Sequence, residues 1–141
     1  MNTKLLLATL AAGVASFLMG WLVYGMALKG YMHDHTTAKA LLTMKPEPNL
    51  VYLFAGSLAT GLWMSWALSR MSVATAMGGF MAGLILSGLI GLGYDLMFYG
   101  LMDMYKGRMA LGVDVIAGAV CGGVTGAVAG IVLGMGGKST A

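Results

Sequence analysis

The sequence predicts an all-α fold: an integral membrane four-helix antiparallel bundle with glycine-rich helix contacts. Three observations support this. Of the 141 residues, 59% are hydrophobic and only 9% are charged, whereas soluble domains have about 25% charged residues. The apolar residues form four stretches, each long enough for a membrane span of about 20 residues. Within each stretch small residues recur at every fourth position, as they do where membrane helices approach closely.

The four predicted spans cover residues 5–28, 50–69, 72–99 and 110–135. Two short turns and one modest loop connect the four spans, and short connections place consecutive helices antiparallel. The first run is longer than the 7–15-residue apolar region of a signal peptide, so we expect an uncleaved first span. Residues 1–141 are therefore interpreted as a single transmembrane domain.

The only sizeable polar segment is residues 29–49. Within it, Thr36–Lys45 is expected to form a short helix, with Ala38, Leu41 and Leu42 on its apolar face. Pro46 follows it and would end it. Such a helix would lie in the membrane interface.

The third and fourth spans carry the clearest packing signal. Glycine is a poor helix former in water, but in lipid the backbone must bond to itself and the helix forms regardless. A row of glycines then makes a groove in which a partner helix can lie closely. The predicted helix-packing rows are Gly79, Gly83, Ser87 and Gly91 in the third span, and Gly118, Gly122, Gly126, Gly130 and Gly134 in the fourth.

Each row continues into an aspartate, Asp95 in the third span and Asp114 in the fourth. If the two spans form an antiparallel hairpin centred near Met104, the two aspartates lie at the same depth. The same register pairs Gly91 with Gly118, Ser87 with Gly122 and Gly83 with Gly126. Because an i+4 row drifts about 40° per step around a 3.6-residue helix, two straight helices can share only part of these rows.

The two aspartates are the predicted polar or ion site. A charge at the centre of a membrane helix costs roughly 2.5–3.5 kcal/mol, and two adjacent carboxylates cannot both stay ionised cheaply. Arg108, Lys106 or Lys29 could neutralise the pair, and Arg108 is the basic residue most able to fold back onto it. Tyr99, one turn after Asp95, is expected on the same face, where it could donate a hydrogen bond. Two interpretations stay open: a proton or cation site, or a structural hydrogen-bonded pair near the headgroups.

His33 and His35 are the candidate metal ligands, with methionines nearby in sequence. Histidine and methionine are plausible ligands of copper, but this spacing is not specific, and two histidines fall short of a defined site. We therefore expect no metal and no cofactor. The single cysteine, Cys121, excludes an internal disulfide and is interpreted as a structural thiol.

The sequence contains no nucleophile elbow, phosphate loop, CxxC, HExxH or dinucleotide fingerprint. The glycines of the last span follow no strand, which argues against a nucleotide loop. No run of basic residues suggests nucleic acid. The chain is therefore expected to be neither an enzyme nor a nucleic-acid-binding protein.

Lysine and arginine counts predict the orientation. Lys4, Arg70 and Lys138 share one side of the predicted bundle, and the other five basic residues share the opposite side. The positive-inside rule then places the loops 29–49 and 101–108 in the cytoplasm. The expected location is the bacterial inner membrane, as a multi-pass protein.

The end of the first span carries a family resemblance. Gly20-Trp21 and Tyr24-Gly25, followed by Lys29, resemble the first helix of a family of small bacterial membrane proteins catalogued as domain of unknown function 1761. The small-residue end of the chain, Ala127–Gly134, is similar to the last helix of that family. The resemblance covers most of the chain and implies about four spans. It implies no activity, so no functional residue is carried over.

Three functional hypotheses follow. The first is a non-enzymatic assembly or accessory subunit that packs through its glycine-rich faces, with the lipid bilayer and either a second copy or another membrane protein as partners. The second is a small transporter or channel with a proton or cation site at Asp95 and Asp114. The third, a membrane enzyme or copper protein, has the least support in the sequence.

Overall fold

The protein is an all-α bundle, which confirms the predicted fold class. The computed structural model describes residues 2–136, and this part of the chain contains helices, turns and short connections but no β-strand. Its elements are α1 (Thr3–Gly20), a π-helix (Trp21–Ala27), α2 (Lys29–His35), α3 (Ala38–Thr43), α4 (Leu50–Arg70), α5 (Ala76–Leu101) and α6 (Arg108–Gly134).

Four helical segments are long and apolar enough to cross a membrane: α1 together with the π-helix, α4, α5 and α6. They contain 21 to 27 residues each. At a rise of about 1.5 Å per residue, each reaches the roughly 30 Å thickness of a bilayer's hydrocarbon core. The structure is thus consistent with a multi-pass membrane protein.

The third span begins at Ala76 and not at residue 72 as predicted. The preceding residues form the turn out of α4, in which Ser72 has a positive φ of 56°. Thr75 caps the new helix, because its hydroxyl accepts a hydrogen bond from the Gly78 amide at 3.1 Å, the usual role of threonine at this position. Residues 72–75, which the apolar pattern assigned to the span, therefore belong to the turn.

The expected single helix Thr36–Lys45 is wrong in extent. The polar segment instead forms two short helices, α2 and α3, separated by extended residues. Thr36 is extended because it pairs with Tyr105 in an isolated antiparallel bridge. Thr37 then caps α3 by accepting a hydrogen bond from the Ala40 amide at 3.3 Å.

The helices pair as two hairpins, α1 with α4 and α5 with α6. Helix α6 also packs against α1 and α4, so it is the central helix of the bundle. Helices α4 and α5 have the shortest connection between any two of the four long helices, but they hardly touch each other. Consequently α5 packs against essentially one helix, α6.

The apolar core lies between α1, α4 and α6. Its fully buried residues are Ala12, Met64, Leu68 and Ala129. Small residues on α1 and α6 bring these helices close to the larger side chains of α4. This arrangement leaves α5 outside the core, except where Ala82 packs against it.

Glycines hold α5 and α6 backbone to backbone. A methyl group added at Gly79 would overlap the carbonyl oxygen of Gly126. One added at Gly83 would overlap the carbonyl oxygen of Gly122. Larger residues at these positions would push the two helices apart, so the contact depends on the absence of side chains.

The contact extends to the turn before α5. Gly130 lies against the carbonyl oxygen of Thr75, and Gly134 against that of Ala74. All four glycines from 122 to 134 in the predicted row are therefore in contact with α5 or with the turn that leads into it. The glycine row of α6 is used within the chain.

The predicted pairing between the rows of α5 and α6 does not extend to Gly91 and Gly118. Ser87 does pack against Gly122, but a methyl group at Gly91 would meet no atom within 4 Å. Gly118, its expected partner, lies beside the Tyr24 hydroxyl instead. The i+4 rows rotate away from each other along the helices, so Gly91 is not part of the close contact.

A second glycine contact joins α1 and α4. A methyl group at Gly61 would overlap the backbone of Gly13 and the carbonyl oxygen of Thr9. Gly61 belongs to the small-residue row of the second span, and Thr9 lies beside the row of the first. Both hairpins therefore use small residues for close approach.

The chain connections separate into two ends of the bundle. Lys4, the Ser69–Ala74 turn and Leu133 line one shallow cleft, which places them at the same end. The segments 34–37 and 103–106 bond to each other at the opposite end. Lys138, which the sequence assigns to the first of these ends, lies outside the described residues.

Candidate polar site at the end of the α5–α6 hairpin

The structure brings the two predicted aspartates together. Asp95 on α5 is buried, with 8% of its surface exposed, and Asp114 on α6 is half-buried. Their carboxyl groups are within hydrogen-bonding reach of each other. Two acidic side chains on different helices thus form one site just beyond the glycine contact.

Tyr105, in the connection between the two helices, covers the pair. Its hydroxyl donates a hydrogen bond to Oδ2 of Asp114 at 2.7 Å, and only 7% of the residue is exposed. Burial, reinforced by the hydrogen bond to Asp114, raises the pKa of Tyr105 above its ordinary value. The phenol therefore remains a hydrogen-bond donor at every physiological pH.

Tyr24, in the π-helix, approaches from a third segment. Its hydroxyl donates to the backbone carbonyl of Asp114 at 3.2 Å. The approach is open because Gly118, one turn further along α6, has no side chain, and its Cβ position lies 3.7 Å from the hydroxyl. π-Helical turns are frequent at functional sites.

Backbone hydrogen bonds fix the connection that carries Tyr105. The Thr37 amide donates to the Met104 carbonyl at 3.0 Å, and the Lys106 amide donates to the His35 carbonyl at 2.8 Å. The Lys106 ammonium adds a bond to the Asp34 carbonyl at 2.7 Å. We refer to this pairing of residues 34–37 with 103–106 as the clasp.

The other predicted members of the site lie elsewhere. Tyr99 is 42% exposed and Arg108 is exposed at the start of α6. Among residues 2–136, no lysine or arginine forms an ion pair with either aspartate. The expectation that Arg108 folds back and that Tyr99 donates is therefore wrong, because Tyr105 already covers Asp114.

A cleft of about 340 Å³ opens beside the carboxyl pair. Tyr24 and Tyr105 both line it, as do Thr36 and residues of α2 and α3. The two tyrosines that bond to Asp114 are thus among its lining residues. The cleft lies at the loop end of the bundle. Neither aspartate lines it, so Tyr24 and Tyr105 are the residues that connect the cleft to the pair.

The two candidate metal ligands separate in the structure. His33 lines the cleft. His35 stacks on Tyr31, with ring centroids 4.1 Å apart, and its Nδ1 is 2.8 Å from the Tyr31 carbonyl. In the part of the chain that the structure describes, no three His, Cys, Asp or Glu side chains cluster as a metal site.

Sequence reasoning missed both tyrosines of the site. Tyr105 lies in a segment that composition marks only as a short polar turn, and its role depends on the clasp. Tyr24 could be assigned only to the membrane interface, a usual location for tyrosine. No local pattern links Tyr24 to Gly118, because the two residues lie 94 positions apart (118 − 24). Only the folded structure shows that one fits against the other.

The chain was compared with protein-family models, curated proteins and solved structures, and no match was found. A functional conclusion must therefore rest on the geometry and chemistry of the site.

Proposed function

We propose that this is a small, non-enzymatic protein of the bacterial inner membrane that binds and releases a proton at the Asp95–Asp114 pair, as part of a small transporter or channel. The observation that carries the proposal is the pair itself, two facing carboxyl groups covered by tyrosine hydroxyls.

Hydrogen-bond accounting supports a shared proton. An ionised carboxylate can only accept hydrogen bonds, so two facing carboxylates cannot bond to each other. Asp114 already accepts from Tyr105. A proton on Asp95 would let that carboxyl donate to Asp114, which gives the buried Asp95 a partner.

The absence of a counter-charge supports the same conclusion. No basic side chain pairs with either acid among the described residues, and both aspartates lie on helices that are candidate membrane spans. Intramembrane acids usually pair with each other or mark a proton or ion pathway. One proton on the pair removes half of its charge without a cation.

The two sides of the carboxyl pair differ in this conformation. The cleft beside Tyr24 and Tyr105 leads to the loop end. Towards the other end, α5 and α6 meet backbone to backbone at Gly79, Gly83 and their partners. Transport would therefore require the glycine contact to open, and proton binding is the step that the geometry supports directly.

Proton uptake can be measured in liposomes that hold the purified protein and a pH-sensitive dye. We expect a pH step to produce a flux that Asp95→Asn and Asp114→Asn each reduce at least about tenfold, because each removes one half of the proton site. Asp103→Asn, which changes an exposed acid of the same loop end, is the matched control and should leave the flux unchanged. Equal flux in all four proteins would refute the proposal.

An accessory or assembly role is the second candidate. The observation that favours it is the position of α5, which packs against one helix and leaves most of its surface exposed. The glycine row of α6 is occupied within the chain, so a partner would dock on α5. Mass analysis of gently solubilised protein tests this: a second copy or another membrane protein should co-purify, and an isolated chain without flux would favour neither role.

The orientation completes the proposal. With the loops 29–49 and 101–108 in the cytoplasm, the cleft opens to the cytoplasm and the carboxyl pair lies at the cytoplasmic end of the bundle. Ala38→Cys introduces an exposed thiol into one of these loops, and Cys121→Ala removes the native thiol. An impermeant thiol reagent should label this variant only after the cells are broken. Labelling in intact cells would show that these loops face the outside and that the proposed orientation is wrong.

A further inference from the structure

The cleft beside the carboxyl pair collects methionines from three separate segments. Met32 comes from α2, Met44 follows α3, and Met104 lies in the connection between α5 and α6. His33 lines the same cleft. None of these four residues is required for proton binding at the aspartates.

The helical spacing of α2 explains why Met32 and His33 both reach the cleft. The α2 residues that line it are Lys29, Met32 and His33, and Thr36 follows at the end of the helix. These positions are i, i+3, i+4 and i+7, which form one face of a helix. The methionine and the histidine are thus presented side by side to the same space.

Packing does not explain these methionines well. Met44 is 54% exposed, and Met32 and Met104 are half-buried in connections outside the four long apolar helices. Methionine is common as gap-filling material inside cores, but here it lines an open cleft.

We propose that this cleft binds a monovalent copper ion, through the sulfur atoms of Met32, Met44 and Met104 and the imidazole of His33. Thioether and imidazole groups are both neutral; thioethers are soft ligands that select Cu(I), and imidazole also suits copper. Harder divalent ions prefer carboxylates, and the described residues hold no cluster of three or more His, Cys, Asp or Glu.

The surroundings of His33 fit this role. Its Nδ1 lies 3.7 Å from the Asp34 carboxylate, which leaves Nε2 for a metal. This distance is longer than a hydrogen bond, and the His33 side chain is 70% exposed, so the ring can rotate to present Nε2 to an ion in the cleft. Lys29 lines the rim of the cleft and is exposed, so its flexible stem can keep the ammonium in solvent and away from the ion.

The test is anaerobic titration of the detergent-purified protein with Cu(I) against bicinchoninate, a coloured chelator. The protein should withdraw one equivalent of Cu(I) from the chelator. The double variant Met44→Leu/Met104→Leu should bind at least about tenfold more weakly, since loss of even an outer-shell group commonly costs that much affinity. The control is Met77→Leu/Met81→Leu, two exposed methionines of α5, which should bind like the unmodified protein.

X-ray absorption of the copper-loaded, unmodified protein decides the ligand set independently of any variant. We expect a first shell dominated by sulfur with one nitrogen. Failure to compete with the chelator, equal weakening in the control variant, or a shell of nitrogen and oxygen only would each overturn the proposal. Loss of copper binding with the proton flux intact would separate the two sites, because the copper ligands and the carboxyl pair share no residue.

Discussion

The two ends of the α5–α6 hairpin differ in what lies between the helices. At the end near Thr75 the glycines bring the two backbones into contact, and there is no room for a methyl group. At the end near Tyr105 the same helices hold two carboxyl groups and a tyrosine hydroxyl between or beside them. One end is closed by the absence of side chains, and the other is a polar site.

The difference teaches that a small-residue row does not by itself define a contact. Gly83 and Gly91 belong to the same row of α5, yet Gly83 touches α6 and Gly91 has open space around it. Rotation of the i+4 row around the helix brings one end inward and turns the other away. The space gained at the second end admits Asp95, Asp114 and the Tyr24 hydroxyl.

The largest expected effect is at the closed end. Gly126→Leu places a side chain against the Gly79 carbonyl, and because a backbone cannot move aside as a side chain can, we expect a loss of about 3 kcal/mol or more. Thermal stability and monodispersity in detergent measure it. Gly112→Leu, at a position on the same helix with no atom within 4 Å, is the control. Similar tolerance of both variants would mean that the glycine contact does not exist.

At the polar end, Asp114→Leu should be more harmful than Asp114→Asn. Leucine leaves the buried Tyr105 hydroxyl without its acceptor, which costs about 1–3 kcal/mol. Asparagine retains an oxygen that accepts from Tyr105 and an amide that can donate to Asp95. Thermal unfolding of the two variants in the same detergent compares them. If Asn proved the worse of the two, hydrogen bonding would not be what holds this end together.

Tyr105→Phe should cost about 1.5 kcal/mol, the value of a hydrogen bond to a charged acceptor. It should also change the pH dependence of stability. Because the folded protein raises the pKa of Tyr105, this stabilisation is complete below about pH 10 and declines as the pH rises further, where the unfolded chain loses the phenol proton first. Unfolding measured from pH 9 to 11 should show a shallower decline in the Phe variant. Identical slopes would place Tyr105 in solvent.

The smallest effect is expected at Gly91, which can be compared with Gly83 in the same row of α5. Gly91→Ala should change the stability by no more than about 0.5 kcal/mol, as is usual for sites without special contacts. Gly83→Ala, which overlaps the Gly122 carbonyl, should destabilise the protein measurably. The pair is best measured together in one detergent. A Gly91→Ala variant as damaged as Gly83→Ala would show that the row packs along its full length.

The sequence by itself determined the fold class, the four long helices and the chain segments that pack most closely. Membrane helices satisfy their backbone bonds internally, so length and apolar composition reveal them without tertiary information. Gly79, Gly83, Gly122 and Gly126 were recognisable because i+4 spacing is a local property. The common depth of Asp95 and Asp114 followed from hairpin symmetry alone.

Tertiary structure decided how far the rows stay in contact and which groups complete the polar site. The divergence at Gly91 depends on the angle at which α5 and α6 cross, which no single helix specifies. Tyr105 reaches Asp114 because the clasp pairs residues 34–37 with 103–106, and Tyr24 reaches it because Gly118 leaves room. These partners are distant along the chain, so the physical reason is that their contacts exist only once the helices have packed.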